Sequence, residues 1–491
     1  MENKLKVYYK DIIFASSNPI EIRKNKKLLD EGLIRKIAPK IYSANLIDNP
    51  ADIIRTNLFE ILSHQYPGAL LSHRSAIEFK PTSKGVIFLT YTYTKKITLP
   101  GVTISLLEGN PPMNGDNMFY GTLYASQFER ALLENLQISK KPGPESKTLS
   151  IPEIEEKLES FIRVKGENEL NLARDRARVL SIQLNMQNEF NKLNTIISAL
   201  LSTKPVTNLK SKIAIARAIG SAYDPERKKI FEMLFQSLIS NSFANRPEKN
   251  NTSKSFRNFA FFESYFSNYI EGTKFEISDA KTIIESGIAL PNRPDDSHDI
   301  LGTYKLVSSL NNVRIVPENF AHFIELLLTR HKILLEGRPY IMPGEFKNTN
   351  NRAGNTFFVD YKLVRGTLEQ GFEYYKALRE PFAKAAYIMF LISEVHPFND
   401  GNGRTARLFM NSELAIANQS KILIPSVYRD DYLLSLKKLS QQKSPESYIK
   451  MLDRIHQFSE TVVGDNIDVM QNYLESCNAF KESEDIYRLK F

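Results

Sequence analysis

Between residues 256 and 460 apolar side chains recur every three or four positions, which predicts a series of amphipathic helices. The stretch AYIMFLISEV (386–395) is almost wholly apolar and predicts a helix buried on all sides. RTARLFMNSELAIA (404–417) then resumes the helical spacing. Only YIMPGEFKNTNNRAGNTFFVDY (340–361) breaks the pattern, with a Pro-Gly pair, an Asn run and strand-like ends that predict a β-hairpin. Upstream, EIEEKLESFIRV, LNLARDRARVLSIQLNMQNEFNKLNTIISALL and PERKKIFEMLFQSLISNSF predict three helices within 152–245. Residues 1–110 mix the two periods. Helical spacing over 18–34 stops at Gly32, 34–44 alternates as a strand pair turning at Pro39, and GVIFLTYTYTKKITL (85–99) is β-branched and aromatic. GNPPMNGDNM (109–118) reads as a loop.

Two polar stretches, ISKKPGPESKTLSIPE (138–153) and ANRPEKNNTSKS (244–255), read as linkers. They divide the chain into an α+β module over 1–140, a helical region over 150–245, a helical domain with a hairpin over 256–460, and a C-terminal helical tail over 461–491. The expected fold is therefore mainly α, with a smaller α+β domain at the N-terminus and a helical middle region.

A composition of 42% hydrophobic and 25% charged residues over 491 positions fits a globular protein of several domains. No apolar run reaches the ~18 residues that cross a bilayer, and MENKLKVYYKDIIFASS lacks the apolar core of a secretory signal. The expectation is a cytoplasmic protein without a membrane partner. A single cysteine, Cys477, excludes an internal disulfide and a cysteine metal cluster. The net charge of +9 is concentrated at the start, where residues 1–100 carry 16 Lys/Arg against 9 Asp/Glu. That balance suits nucleic acid or an acidic partner, and equally a solvated lysine-rich surface.

The chemistry gathers in HPFNDGNGRTAR (396–407), between the two predicted helices. Unpaired N–H groups at the start of the second helix carry positive partial charge, and Gly401 and Gly403 let the loop turn its amides toward one anion. Arg404 and Arg407, three apart, share a helix face and suit a polyphosphate. Asp400 is placed to hold Mg²⁺ together with phosphate oxygens. His396 can take a proton near neutrality, Pro397 stiffens the loop, and Phe398 anchors it. A base beside a metal-bound polyphosphate points to attack of a hydroxyl on phosphorus.

This stretch resembles the motif of the Fic (filamentation induced by cAMP) family of protein adenylyltransferases, and the resemblance extends over about residues 256–460. It implies a helical domain with a β-hairpin flap that docks a target segment, and transfer of AMP from ATP, with Mg²⁺, to a Ser, Thr or Tyr hydroxyl of a protein, including the chain itself. By position, His396 is implied to be the general base and Asp400 the metal ligand. Gly401, Asn402 and Gly403 are implied to form the anion hole for the α- and β-phosphates, Arg404 to contact the β-phosphate and Arg407 the γ-phosphate. Thr405 and Ala406 fall between them in the nucleotide-binding segment. Tyr432 and Leu433, in ILIPSVYRDDYLLSL, fall where the family places adenine contacts. The implied flap includes Phe346, Lys347, Asn348 and Thr349, with Lys347 standing where an arginine is common.

Upstream, Ser267-Asn268-Tyr269-Ile270-Glu271-Gly272 fits S/T-x-x-x-E-G/N and resembles the inhibitory motif of Fic proteins that carry their brake N-terminal to the catalytic core. The resemblance implies that Glu271 pairs with Arg407 and excludes the γ-phosphate, that Ser267 bonds locally to fix the helix, that Gly272 ends it, and that a homodimer is one assembly state. The same residues also fit the reverse activity, removal of AMP from a modified target. LLDEGLIRKIAPKIYSA with ALLSHRSAIEF (69–79) is similar to the N-terminal region of AbiEi-type winged-helix antitoxin regulators, which leaves DNA as a candidate partner and an ATP-sensing DNA-binding regulator as a third reading. His73 there reads as a structural residue at a helix start capped by Ser72.

Overall fold

The computed structural model describes residues 11–140, 142–482 and 487–491, and the chain divides into two compact units, 1–220 and 221–491. In the first, β1 (Ile12–Phe14), β2 (Arg35–Ala38) and β3 (Ile41–Ser43) form a three-stranded sheet in the order β1-β3-β2, with α1 (Pro19–Asp30) between β1 and β2. Asn18 caps α1, and its side chain accepts a bond from the Ile20 N–H. After α2 (Pro50–Thr56) and α3 (Leu58–Gln65) comes a six-stranded sheet, made of β4 (Leu70–Leu71), β5 (Val86–Tyr91), β6 (Lys95–Leu99), β7 (Val102–Glu108), β8 (Asn117–Tyr120) and β9 (Leu123–Ala125). Its order is β6-β7-β5-β4-β9-β8, with α4 (His73–Glu78) inserted after β4. The aliphatic positions of the strands, such as Ile87, Leu89, Ile104 and Leu106, bury against Ile53, Ile54, Ile61 and Leu62 of α2 and α3. His73 is buried, its ring bonded to Ser72 and Gln137, and burial pushes its pKa down to about 3.

A second core in this unit joins α5 (Phe128–Asn135) to α6 (Ile151–Lys165), α7 (Glu167–Gln183), α8 (Gln187–Leu200) and α9 (Lys212–Ala218). Two expectations change here. The segment over 138–153 is docked rather than a free linker: Glu145 accepts bonds from Thr82 and Ser83, and Arg74 pairs with Glu153. The long helix expected from 170 onward is two helices, because the chain turns at Asn185, which adopts a left-handed φ of 56°.

The second unit starts earlier than the expected 256. α10 (Pro225–Ile239), assigned from the sequence to a separate helical region, inserts Ile230, Phe231, Leu234 and Leu238 into the large core of this unit. Residues 244–255, read as a linker, are pinned to the same unit, since Arg246 is buried against Asp453 and Asn250 donates to the Val462 carbonyl. There follow α11 (Ser253–Ile270), α12 (Ile277–Ser286), α13 (Pro294–Val307), α14 (Leu310–Val313) and α15 (Phe320–Leu334). A two-stranded hairpin, β10 (Arg352–Ala353) and β11 (Thr356–Phe357), comes next, its two-residue turn entered through Gly354 at φ 57°. The unit closes with α16 (Val364–Ala377), α17 (Pro381–Val395), α18 (Asn402–Ile416), α19 (Arg429–Gln442), α20 (Pro445–Ser459) and α21 (Ile467–Ser476).

α17 is central. Its side chains from Ala385 to Ile392 are almost completely buried, as an apolar run without a polar face requires. Among the described residues of the expected C-terminal tail α21 is the helix; Cys477, Ala479 and Leu489 pack into the domain core, so these residues belong to the domain. Among the described residues no helix is long and apolar enough to cross a membrane.

Candidate active site

The loop joining α17 to α18 carries the site. α17 ends at His396, which takes a left-handed φ of 52° and donates its N–H to the Ile392 carbonyl. Phe398 is fully buried and stacks on the His331 ring with centroids 3.6 Å apart. Asn402 closes the loop: its Oδ1 accepts from the Phe398 N–H at 2.9 Å and its Nδ2 donates to the Phe398 carbonyl at 2.9 Å. The Asn402 side chain is thereby engaged in the loop, and its backbone N–H remains for a ligand. Gly401 has φ 73°, which strains any larger residue, and a Cβ there would come 2.6 Å from a Leu335 methyl, which would have to shift. No side chain caps α18, whose first-turn N–H groups thus form an anion cradle.

His331, which the sequence reading did not single out, fixes this loop to the turn before the hairpin. Its Nε2 donates to the Asp400 carbonyl at 3.0 Å, and its Nδ1 accepts from the Gly344 N–H at 2.9 Å. Burial pushes its pKa down to about 4, which keeps it in the neutral form this pattern needs.

The His396 ring lies under Phe358, 3.6 Å between centroids and 5° from parallel. Its Nδ1 is 3.3 Å from the Ser393 carbonyl, so Nδ1 carries the proton and Nε2 is the free base. Burial pushes the pKa down to about 4; the nearby Lys347 lowers it further, against the Ser393 carbonyl, Glu271 and Asp400, which raise it.

Both arginines are buried and engaged. Arg407 Nη2 lies 2.7 Å from Glu271 Oε1 and donates to the Ser267 carbonyl at 2.8 Å, while its Nε donates to Ser267 Oγ at 3.0 Å. The Ser267 hydroxyl therefore serves the arginine and not its own helix, contrary to expectation, because it projects from the last turn of α11 toward α18. Glu271 caps α11 and reaches over the cradle: a Cβ on Gly403 would stand 2.2 Å from its Oε1. Arg404 Nη1 pairs with Asp299 on α13 at 2.5 Å and donates to Asn268 at 3.2 Å. Asp299 and Asn268 had no spacing signal in the sequence. Asp400 accepts from its neighbour's N–H, Gly401, at 2.7 Å through Oδ1 and from Arg338 at 2.8 Å through Oδ2. Burial alone would raise the Asp400 carboxyl, but Arg404, the Gly401 N–H and Arg338 outweigh it and hold the pKa below the usual carboxylate range.

The other expected site residues divide. Tyr432 is buried with its hydroxyl 3.5 Å from Arg407 Nη1, whereas Leu433 is 39% exposed and turned away from it. Ala406 is buried in the core, on the side of α18 opposite the arginines, and Thr405 is buried beside it. The four residues expected in the flap precede the hairpin strands. Phe346 packs on Phe398, and Lys347 donates its N–H to the Pro397 carbonyl and its Nζ to Asn351. Asn348 and Thr349 are exposed. Burial pushes the Lys347 pKa down to about 8.

Among the described residues no group of three or more His, Cys, Asp or Glu could hold a metal. One ionised carboxylate, Asp400, facing an anion cradle fits Mg²⁺ arriving with a polyphosphate, since Mg²⁺ combines one or two carboxylates with phosphate oxygens.

Residues 323–414 match the family model described as Fic/DOC family. The chain is 25% identical over 203 residues to protein adenylyltransferase fic-1 of Caenorhabditis briggsae, a match covering 40% of each chain. It is 29% identical over 178 residues to protein adenylyltransferase Fic of Culex quinquefasciatus, covering 34% of each. The matches thus span about 40% or less of these relatives' lengths. A solved structure of Fic-1 (residues 134–508) from C. elegans aligns over 67% of this chain and 99% of that one, with 17% identity and a TM-score of 0.36.

Proposed function

We propose, from the match of residues 323–414 to the Fic/DOC family model, that the chain is a protein adenylyltransferase that transfers AMP from ATP to a hydroxyl of a protein, its own included, and that Glu271 restrains it. The observation that carries this reading is one loop and helix start presenting a neutral imidazole, a capless N-terminus and two buried arginines together.

In the reaction His396 Nε2 removes the proton from the target Ser, Thr or Tyr hydroxyl. The oxygen forms a bond to the α-phosphorus, the bond to the bridging oxygen breaks, and pyrophosphate leaves. The N–H groups at the start of α18 and Arg404 hold the α- and β-phosphates, and Arg407 holds the γ-phosphate. Asp400 would hold Mg²⁺, which supplies charge neutralisation on the phosphates when bound. Phe358 keeps the imidazole in plane, and the Ser393 carbonyl fixes its tautomer. ATP carrying the label at its α-phosphate labels protein, and ATP labelled at the γ-phosphate does not; transfer of the γ label would make the protein a kinase and overturn the proposal.

The pH dependence follows from His396. A base whose pKa lies at about 4 is deprotonated through the neutral range and loses function only as pH falls through that value. The acid limb of the transfer rate is expected at about pH 4–5, measured as kcat/KM against pH, and a limb near the ordinary histidine value of about 6.5 would contradict the buried imidazole.

A second reading, removal of AMP from a modified protein, is favoured by the position of Glu271 against Gly403, where a carboxylate could orient a water toward the phosphorus. Release of AMP from a pre-modified target on incubation with the wild-type chain separates it from transfer.

A further inference from the structure

Asp400 does not wait for a metal with free oxygens. Its Oδ1 is taken by the Gly401 N–H and its Oδ2 by Arg338 Nη1, 2.8 Å away. The same Nη1 lies 2.9 Å from Asp299 Oδ2, so one guanidinium bridges two carboxylates, one of which also binds Arg404. Arg338 belongs to no helix of the core. It stands between the end of α15 and the hairpin, after Gly337, and its Nε donates to the Tyr340 hydroxyl, which in turn binds Asp295. Its side chain is 17% exposed, and that of Asp400 is 37% exposed, so the pair sits at the mouth of the site and can open without disturbing the core.

We propose that Arg338 is a positioning residue that holds Asp400 as an internal cation, so that a divalent metal and the Arg338–Asp400 ion pair exclude one another. This rests on Asp400 being the metal carboxylate. A metal on Asp400 Oδ2 would meet the guanidinium at the same oxygen, and two positive groups repel at that separation. Displacing Arg338 takes part of the binding free energy of the metal, and Arg338 therefore sets how strongly the nucleotide is held with metal relative to without. In the resting site three arginines, Arg338, Arg404 and Arg407, face three carboxylates, Asp299, Asp400 and Glu271. Nucleotide phosphate replaces an anion of this set and the metal replaces a cation.

The test uses ADP, whose missing γ-phosphate avoids opposition from Glu271. ADP affinity is measured calorimetrically with saturating Mg²⁺ and with chelator, and the ratio is the metal effect. Arg338→Met is expected to enlarge that ratio about five-fold over wild type, the size of one partly exposed ion pair; an unchanged or smaller ratio overturns the proposal. Asp400→Asn is expected to abolish the ratio in either background. If it does not, Asp400 is not the metal carboxylate, and the proposal falls with that reading rather than on Arg338. In the wild-type chain, backbone hydrogen exchange of residues 338–342 is expected to quicken with ADP and Mg²⁺ relative to ADP alone. Equal or slower exchange counts against the displacement even if the variant fails to fold.

Discussion

Glu271→Gly is expected to raise AMP transfer on the order of ten-fold or more at saturating ATP, the lower part of the range of ordinary coupling free energies. Arg407 is buried, and its Nη2 is divided between Glu271 Oε1 at 2.7 Å and the Ser267 carbonyl at 2.8 Å. A γ-phosphate entering that position meets the Glu271 carboxylate at close range, and in a partly buried site like charges are poorly screened. Under the proposed brake the triphosphate settles only where its α-phosphorus is misaligned with His396. Removing the carboxylate frees the guanidinium and the space over Gly403 at once. Arg407 keeps both Ser267 contacts, so the variant remains folded, with a cost below about 3 kcal/mol. Glu271→Gln, which keeps the shape and loses the charge, is expected to fall between wild type and glycine. The measurement is incorporation of α-labelled AMP into the chain itself over time. Equal incorporation by wild type and Glu271→Gly removes the brake from the proposal and leaves the transferase.

The parts of the site that were legible in the sequence share one property: they are contiguous. His396 to Arg407 lie in a single loop and helix start, where spacing alone sets which groups converge. Ser267 and Glu271 came through a second short motif. What the sequence did not disclose is what the fold brings from elsewhere. Asp299 reaches Arg404 from α13, Arg338 reaches Asp400 from the approach to the hairpin, His331 ties Asp400 to Gly344 from α15, and Phe358 covers His396. None of these residues has a spacing relation to the motif that a pattern could use. The only available signal was a histidine on an apolar helix, which fits His331 but fits a satisfied core residue equally well.

The fold shows the same limit in another form. Amphipathic helices were readable from their period, and α17 from its unbroken apolar run. The two polar stretches that mark the expected domain boundaries are both docked, because polarity of composition does not distinguish a solvated segment from one whose polar groups are paired. Arg246 and Asn250, in the expected second linker, are buried with partners on α20 and just beyond it. α10, on the far side of that stretch, therefore packs with the helices that follow it.

His396→Ala is expected to lower transfer at least about 100-fold while ATP binding stays within about three-fold. A positioned general base contributes roughly 10²–10⁴-fold to such a step. In the proposed reaction other residues hold the triphosphate: the α18 N–H groups, Arg404 and Arg407. Among the described residues the imidazole bonds through Nδ1 to the Ser393 carbonyl and stacks with Phe358. Its removal leaves the loop closed by Asn402 and Phe398, so the cradle keeps its shape. The comparison is cleanest in the Glu271→Gly background, where turnover is fast enough to quantify the loss, with nucleotide affinity measured calorimetrically beside it. Transfer retained at the parent rate excludes His396 as the base. Loss of transfer together with loss of ATP binding assigns His396 to the nucleotide cradle instead. Only the split between turnover and affinity places the imidazole on the target hydroxyl, where the Ser393 carbonyl, by keeping the proton on Nδ1, leaves Nε2 as the acceptor.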